Sequence, residues 1–169
     1  MAYYMTKVED SFQEELKRWL INSRKVVIAG IGNPIRSDDF VGVKIVQELR
    51  NKVPDRVILY ECETVPESFL EPIIELNPTH IILIDAAYLG LEPGNIRLVK
   101  PEKIINFSPI TSHTLPLRVF CEFIKKTTNA KIVLLLIEPK NTDFGEELSF
   151  EVQESLEKIV SLLLKLLKK

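Results

Sequence analysis

The sequence predicts an α/β fold, a three-layer α/β/α sandwich around a mostly parallel, twisted sheet of about five strands, one of them antiparallel or at an edge. Three observations predict it. Short apolar runs alternate with segments that repeat apolar residues at helical spacing, the pattern of a doubly wound sheet. The run HIILIDAA at residues 80–87 is apolar without alternation, as a strand covered on both faces requires. Residues 25–31 lead through a glycine turn into a helical pattern, the strand–turn–helix unit of such sheets.

In chain order, Phe12, Leu16, Trp19 and Leu20 share one face of a helix near residues 6–22. Residues 25–31 form the first strand, and Val41, Ile45, Val46 and Leu49 give residues 40–50 a helical stripe. RVILYEC at 56–62 is the second strand, followed by a short helix at 67–76 that must end before Pro78. Residues 80–87 form the third strand. The strand at 96–99 follows it too closely for a helical crossover, so it is expected to run antiparallel or to lie at an edge. A helix at 115–126 and the strand AKIVLLLI at 130–137 come next. The last helix, 147–168, carries acids early and lysines late, matching the helix dipole, and buries Val152, Leu156, Ile159, Val160, Leu163, Leu166 and Leu167.

The 169 residues read as one domain, 1–169, with no repeat or linker. Apolar residues make up 46% and charged residues 27%, which argues against disorder. A net charge of −2 gives no general attraction to nucleic acid or to an anionic membrane. No apolar run reaches the ~20 residues that cross a bilayer, and the N-terminus has acids where a signal peptide would be apolar. Two cysteines, Cys62 and Cys121, suit a reducing compartment. A cytoplasmic, monomeric protein is expected. Plentiful Lys and Glu beside three Gln is a thermophile-like composition.

The stretch GIGNPIRSDDFVG, residues 30–42, poses the functional question. Gly30 and Gly32 begin a dinucleotide fingerprint, but its third glycine position holds Ile35, and Asp38 and Asp39 would repel a pyrophosphate at the helix N-terminus. A nucleotide-binding oxidoreductase is therefore disfavoured. Either aspartate can serve as a helix cap, though capping does not explain the pair. Ligands of open α/β sheets bind beyond the C-terminal ends of the strands. Asp38 and Asp39 lie past strand one, Asp85 at the end of strand three, and His113 in the loop before the fourth helix. His80 enters strand three at its other end, ~16 Å from Asp85 at ~3.3 Å per residue, and reads as structural. Two carboxylates and an imidazole suit a divalent metal, with nickel, zinc, iron and manganese all fitting. Cys121 reads as core, and Cys62 stands near the crevice.

Taken together, GIGNPIRSDDFVG, HIILIDAA, GLEPGNIR at 90–97, SHTLPL at 112–117 and IEPK at 137–140 resemble the hydrogenase maturation endopeptidases. The likeness is closest to the branch serving formate-hydrogenlyase-type hydrogenases. It runs through most of the chain, with the N-terminal helix as an extension and ECET at 61–64 as a departure from the family's glycine-rich turn. The resemblance implies a peptidase that removes the C-terminal extension of a nickel–iron hydrogenase large-subunit precursor after nickel insertion. It assigns Asp39, Asp85 and His113 as catalytic residues and metal ligands. The nickel is expected to arrive with the precursor, another divalent ion substituting in isolated protein. Asp39 or Asp85 can alternatively act as general base. Asp38 is expected mainly to support the helix start or to back the site from behind, and Asp38→Asn should preserve the cap. A non-catalytic metal chaperone or sensor is the competing reading.

Overall fold

The computed structural model describes residues 12–106 and 114–168. Five strands form one sheet in the order β2–β1–β3–β5–β4. They are β1 (Val26–Ile31), β2 (Val57–Glu63), β3 (His80–Ala86), β4 (Ile96–Val99) and β5 (Lys131–Ile137). The first three and β5 are parallel. β4 runs antiparallel to β5, with Ile96 opposite Ile137 and Val99 opposite Leu134. The short link from β3 leaves no room for a crossover, so the chain must double back.

Each central strand sends alternate residues to opposite faces. Val26, Ile28, Ile82, Ile84, Val133 and Leu135 pack under α1 (helical over residues 12–19), α2 (Val41–Leu49) and α5 (Phe150–Leu167). Val27, Ala29, Ile81, Leu83, Ile132 and Leu134 pack under α3 (Leu70–Leu76) and α4 (Thr114–Thr127). Each large side chain among these contributes about 1.5–3 kcal/mol when fully buried. Exposed ion pairs such as Lys52–Glu48 contribute about 0–1 kcal/mol. The two apolar layers therefore hold the fold. In α1, Phe12, Leu16 and Leu20 are buried against this core as their spacing predicts. The part of that helix expected before residue 12 lies outside the described residues.

Several boundaries differ from the sequence reading. The helix expected at 67–76 is a 3-10 turn, Pro66–Phe69, followed by α3. Pro72 cannot donate in the first turn of α3, and Asn77 ends it in the left-handed conformation at φ 46°. The helix expected from residue 40 likewise opens with a 3-10 turn, Ser37–Phe40. The last helix begins at Phe150 rather than 147, because Ser149 is held outside it by Asp38. No described helix is long and apolar enough to cross a membrane.

The strand order creates a switch point. From β1 the chain moves to β2 on one side, while from β3 it continues to β5 and β4 on the other. Beyond the C-terminal ends of β1 and β3 the connections diverge, which is where open α/β sheets place their ligands.

Candidate active site

The loop leaving β1 is shaped by two glycines. Gly32 has φ +149°, and a Cβ there would fall 2.0 Å from the Asp39 carbonyl oxygen. Only glycine allows the chain to fold back so tightly. A Cβ on Gly42 would fall 2.1 Å from the Ile84 carbonyl oxygen and 2.5 Å from that of Ile31. Gly42 therefore lets α2 rest directly on the C-terminal ends of β1 and β3. It performs the close helix–strand packing that the third glycine of a dinucleotide fingerprint performs elsewhere. The glycines serve backbone approach, and the turn is occupied by carboxylates.

Asp39 and Asp38 divide the work. Asp39 is buried in the 3-10 turn, and its Oδ2 accepts the Asn33 amide at 2.9 Å. The Asn33 side chain in turn accepts the Ile35 amide at 3.1 Å, closing an Asx turn. Asp38 is fully buried at 0% exposure. Its Oδ2 accepts the amides of Lys140 and Asn141 and the Ser149 hydroxyl, each at 2.9 Å, and Oδ1 accepts the Ser149 amide at 2.7 Å. Of the two roles expected for Asp38, this corrects the helix start, not the support of the site from behind. Neither Ser37–Phe40 nor α2 has a side-chain cap. The carboxylate instead clamps the loop after β5 and the first residue before α5.

Asp85 is the second-last residue of β3 and is buried. By strand alternation it continues the row of Ile81 and Leu83, the face covered by α3 and α4. Asp39 lies in the turn after β1 and Asp85 near the end of β3, the two strands that flank the switch point. His113, expected as the third member, lies outside the described residues. Among the described residues, no group of three His, Cys, Asp or Glu side chains is arranged to hold a metal ion. A further buried carboxylate, Glu138, follows β5 directly. Its Oε2 accepts the Leu89 amide at 2.5 Å, so it ties down the loop that follows β3. The signal that singled out Asp85, an acid directly after an apolar strand, applies equally to Glu138 and was legible. Asp39, Asp85 and Glu138 thus stand at the C-terminal edge of the sheet, and carboxylate oxygens are donors that a divalent cation accepts.

His80 sits at the opposite end of β3, paired in register with Val26 and Lys131. Its Nε2 lies 3.1 Å from the Trp19 carbonyl, which can only accept, so Nε2 carries the proton. The Trp19 ring meets the imidazole edge-on at 4.8 Å. Burial, then Lys131, lowers the imidazole pKa, opposed by the Trp19 hydrogen bond. This histidine locks α1 to the sheet. Cys62 and Cys121 are both buried in the α3/α4 layer. Burial, then Glu67, pushes the Cys62 thiol up to about 12, and burial, then Glu122, does the same to Cys121. Neither is poised as a thiolate.

The chain with this geometry has close counterparts among known proteins. Residues 43–166 match the family model described as HycI, hydrogenase maturation protease. A relative from Methanocaldococcus jannaschii, whose name assigns it provisionally to the hydrogenase maturation proteases, is 36% identical over 163 residues, covering 92% of this chain and 95% of that relative. The hydrogenase 3 maturation protease of Escherichia coli K12 is 25% identical over 133 residues, covering 79% and 85%. The crystal structure of a NiFe hydrogenase maturation protease HycI from Thermococcus kodakarensis KOD1 superposes with a TM-score of 0.84 at 32% identity, covering 91% of this chain and 99% of that one.

Proposed function

The chain belongs to the hydrogenase maturation protease family, and from that premise we propose that it is the endopeptidase that removes the C-terminal extension of a nickel–iron hydrogenase large-subunit precursor once nickel has been inserted. One observation carries the reading. Asp39, in the turn after β1, and Asp85, near the end of β3, are buried carboxylates beside the switch point.

In this reading the nickel belongs to the substrate. Asp39, Asp85 and His113 meet it from three separate elements, two oxygen donors and an imidazole being a donor set that nickel accepts. Hydrolysis of a peptide needs a polarised carbonyl and an activated water, and a divalent cation supplies both kinds of help. The carboxylates have a second available role, since either can take the proton from the attacking water. The same arrangement explains selectivity. A nickel-free precursor lacks the cation that Asp39 and Asp85 meet and so forgoes that attraction. Buried Asp38 and Glu138 hold the surrounding loops.

The test is the intact mass of the precursor after incubation with the protein, in nickel-loaded and nickel-free form. The nickel-loaded chain is expected to lose its C-terminal extension while the nickel-free chain keeps its full mass. Unchanged mass in both would favour a non-catalytic chaperone, and shortening of both would remove the nickel requirement.

A further inference from the structure

Seven large apolar side chains are exposed among the described residues: Ile21, Ile35, Val65, Val119, Phe123, Phe144 and Phe150. Their placement is uneven. Ile35, Val65, Phe144 and Phe150 stand at the C-terminal edge of the sheet, on or beside the loops that surround the candidate active site. Phe144 is 77% exposed, Phe150 74% and Ile35 51%. Burying one such ring at an interface recovers apolar area that the isolated protein leaves in water.

These residues are held on a stiff base. Residues 35–38 and 141–145 run side by side. The Gly145 amide donates to the Ile35 carbonyl at 3.0 Å, Ser37 N to Gly145 O at 2.8 Å and Asp38 N to Asn141 O at 3.1 Å. Ser37 Oγ donates to Asp143 O at 3.0 Å, which helps hold Ser37 at φ 45°. The Arg36 guanidinium lies 5.1 Å from the centre of the Phe144 ring. Asp38 fixes the loop from beneath and holds Ser149, the residue before Phe150. An aromatic group exposed on an already ordered turn loses little entropy when a partner covers it.

We infer that Ile35, Phe144 and Phe150 form a preformed docking ledge for the folded body of the protein substrate, separate from the residues that meet the scissile segment. The inference rests on the functional reading above, in which the substrate is a large-subunit precursor. The ledge adjoins the site, since Ile35 leads directly into the turn that carries Asp39, whose amide donates to the Arg36 carbonyl at 3.0 Å. A flexible tail alone would not need three rigid apolar anchors, whereas a folded subunit has the apolar surface to cover them.

The experiment compares wild type, Phe144→Ser, the triple variant Ile35→Ser/Phe144→Ser/Phe150→Ser, and Ile21→Ser as control. Ile21 is equally exposed, at 57%, but precedes β1 at the far edge of the sheet. Binding of nickel-loaded precursor is measured by calorimetry, processing by mass spectrometry, folding by urea midpoint and self-association by light scattering. The triple variant is expected to weaken precursor binding and raise KM by roughly tenfold or more, with kcat and the urea midpoint near wild type and Ile21→Ser unaffected. Equal binding by wild type and the triple variant overturns the ledge while leaving the functional reading intact. Self-association that the triple variant abolishes, with processing unchanged, overturns it in favour of a second copy as occupant. A wild type that neither binds nor shortens the precursor overturns the functional reading itself, and the ledge with it.

Discussion

Asp38→Asn is nearly isosteric, yet the structure makes it costly. Four donors point at the carboxylate: three backbone amides, of Lys140, Asn141 and Ser149, and the Ser149 hydroxyl. A carboxylate accepts on both oxygens, whereas an amide accepts on one and donates on the other. In its better orientation, the substituted side chain places oxygen at the Oδ2 position and keeps three partners. Its NH2 group then faces the Ser149 amide, now 2.7 Å from Oδ1, donor against donor. The lost bond, made to a charged acceptor, accounts for ~1.5–3 kcal/mol. The three that remain lose their charge assistance. The total is about 2–4 kcal/mol, or a fall in Tm of roughly 4–16 °C for a domain of this size. Urea unfolding followed by circular dichroism reads this directly, as a lower midpoint at unchanged slope. A midpoint within ~0.5 kcal/mol of wild type would refute the clamp and restore the capping role, since Asn caps helices about as well as Asp.

Other expectations follow from single contacts. Gly42→Ala drives a Cβ into two backbone oxygens at 2.1 and 2.5 Å. It should cost ~3 kcal/mol or more and depress processing beyond its effect on the urea midpoint, because α2 follows the Asp39 turn. His80 has a lowered pKa. Its contribution is therefore full above the ordinary value of 6.5 and is lost as pH falls below it, where the unfolded chain takes up a proton that the folded chain refuses. Midpoints measured from about pH 7.5 to about pH 5 should fall in wild type and flatten in His80→Gln, which should still process precursor. His113→Ala should abolish processing with an unchanged midpoint, and the reverse pattern at these two histidines would sink the site assignment. With its thiol pushed to about 12, Cys62 should be nearly inert to iodoacetamide in the native protein at about pH 8, and Cys62→Ala should keep full processing.

Much of this architecture was legible because local pattern and topology coincide. Apolar runs gave β1, β3 and β5, and the brevity of the link to β4 forced its antiparallel direction. Asp39 and Asp85 fall on one sheet edge because one follows β1 and the other stands near the end of β3, and parallel strands place those ends together. The partners of Asp38 were hidden for a different reason. They lie 102 to 111 residues away in the sequence, and no periodicity reports a loop folding back onto a carboxylate. The early start expected for the last helix failed on the same contact, since Ser149 is claimed by Asp38 before the helix can use it. Gly42 stands outside the fingerprint spacing, so its packing role appears only once α2 is seen against Ile84 and Ile31.

The central claim is that the carboxylates of Asp39 and Asp85 act by their charge toward a substrate-borne cation. Asp39→Asn and Asp85→Asn preserve shape and remove that charge. The decisive measurement is the processing rate of nickel-loaded precursor by each variant, taken at a pH where its urea midpoint is close to wild type. Each variant is expected to remain folded and to leave the precursor almost entirely uncut. Processing by both at near wild-type rate, with the extension removed at the same bond, would contradict it.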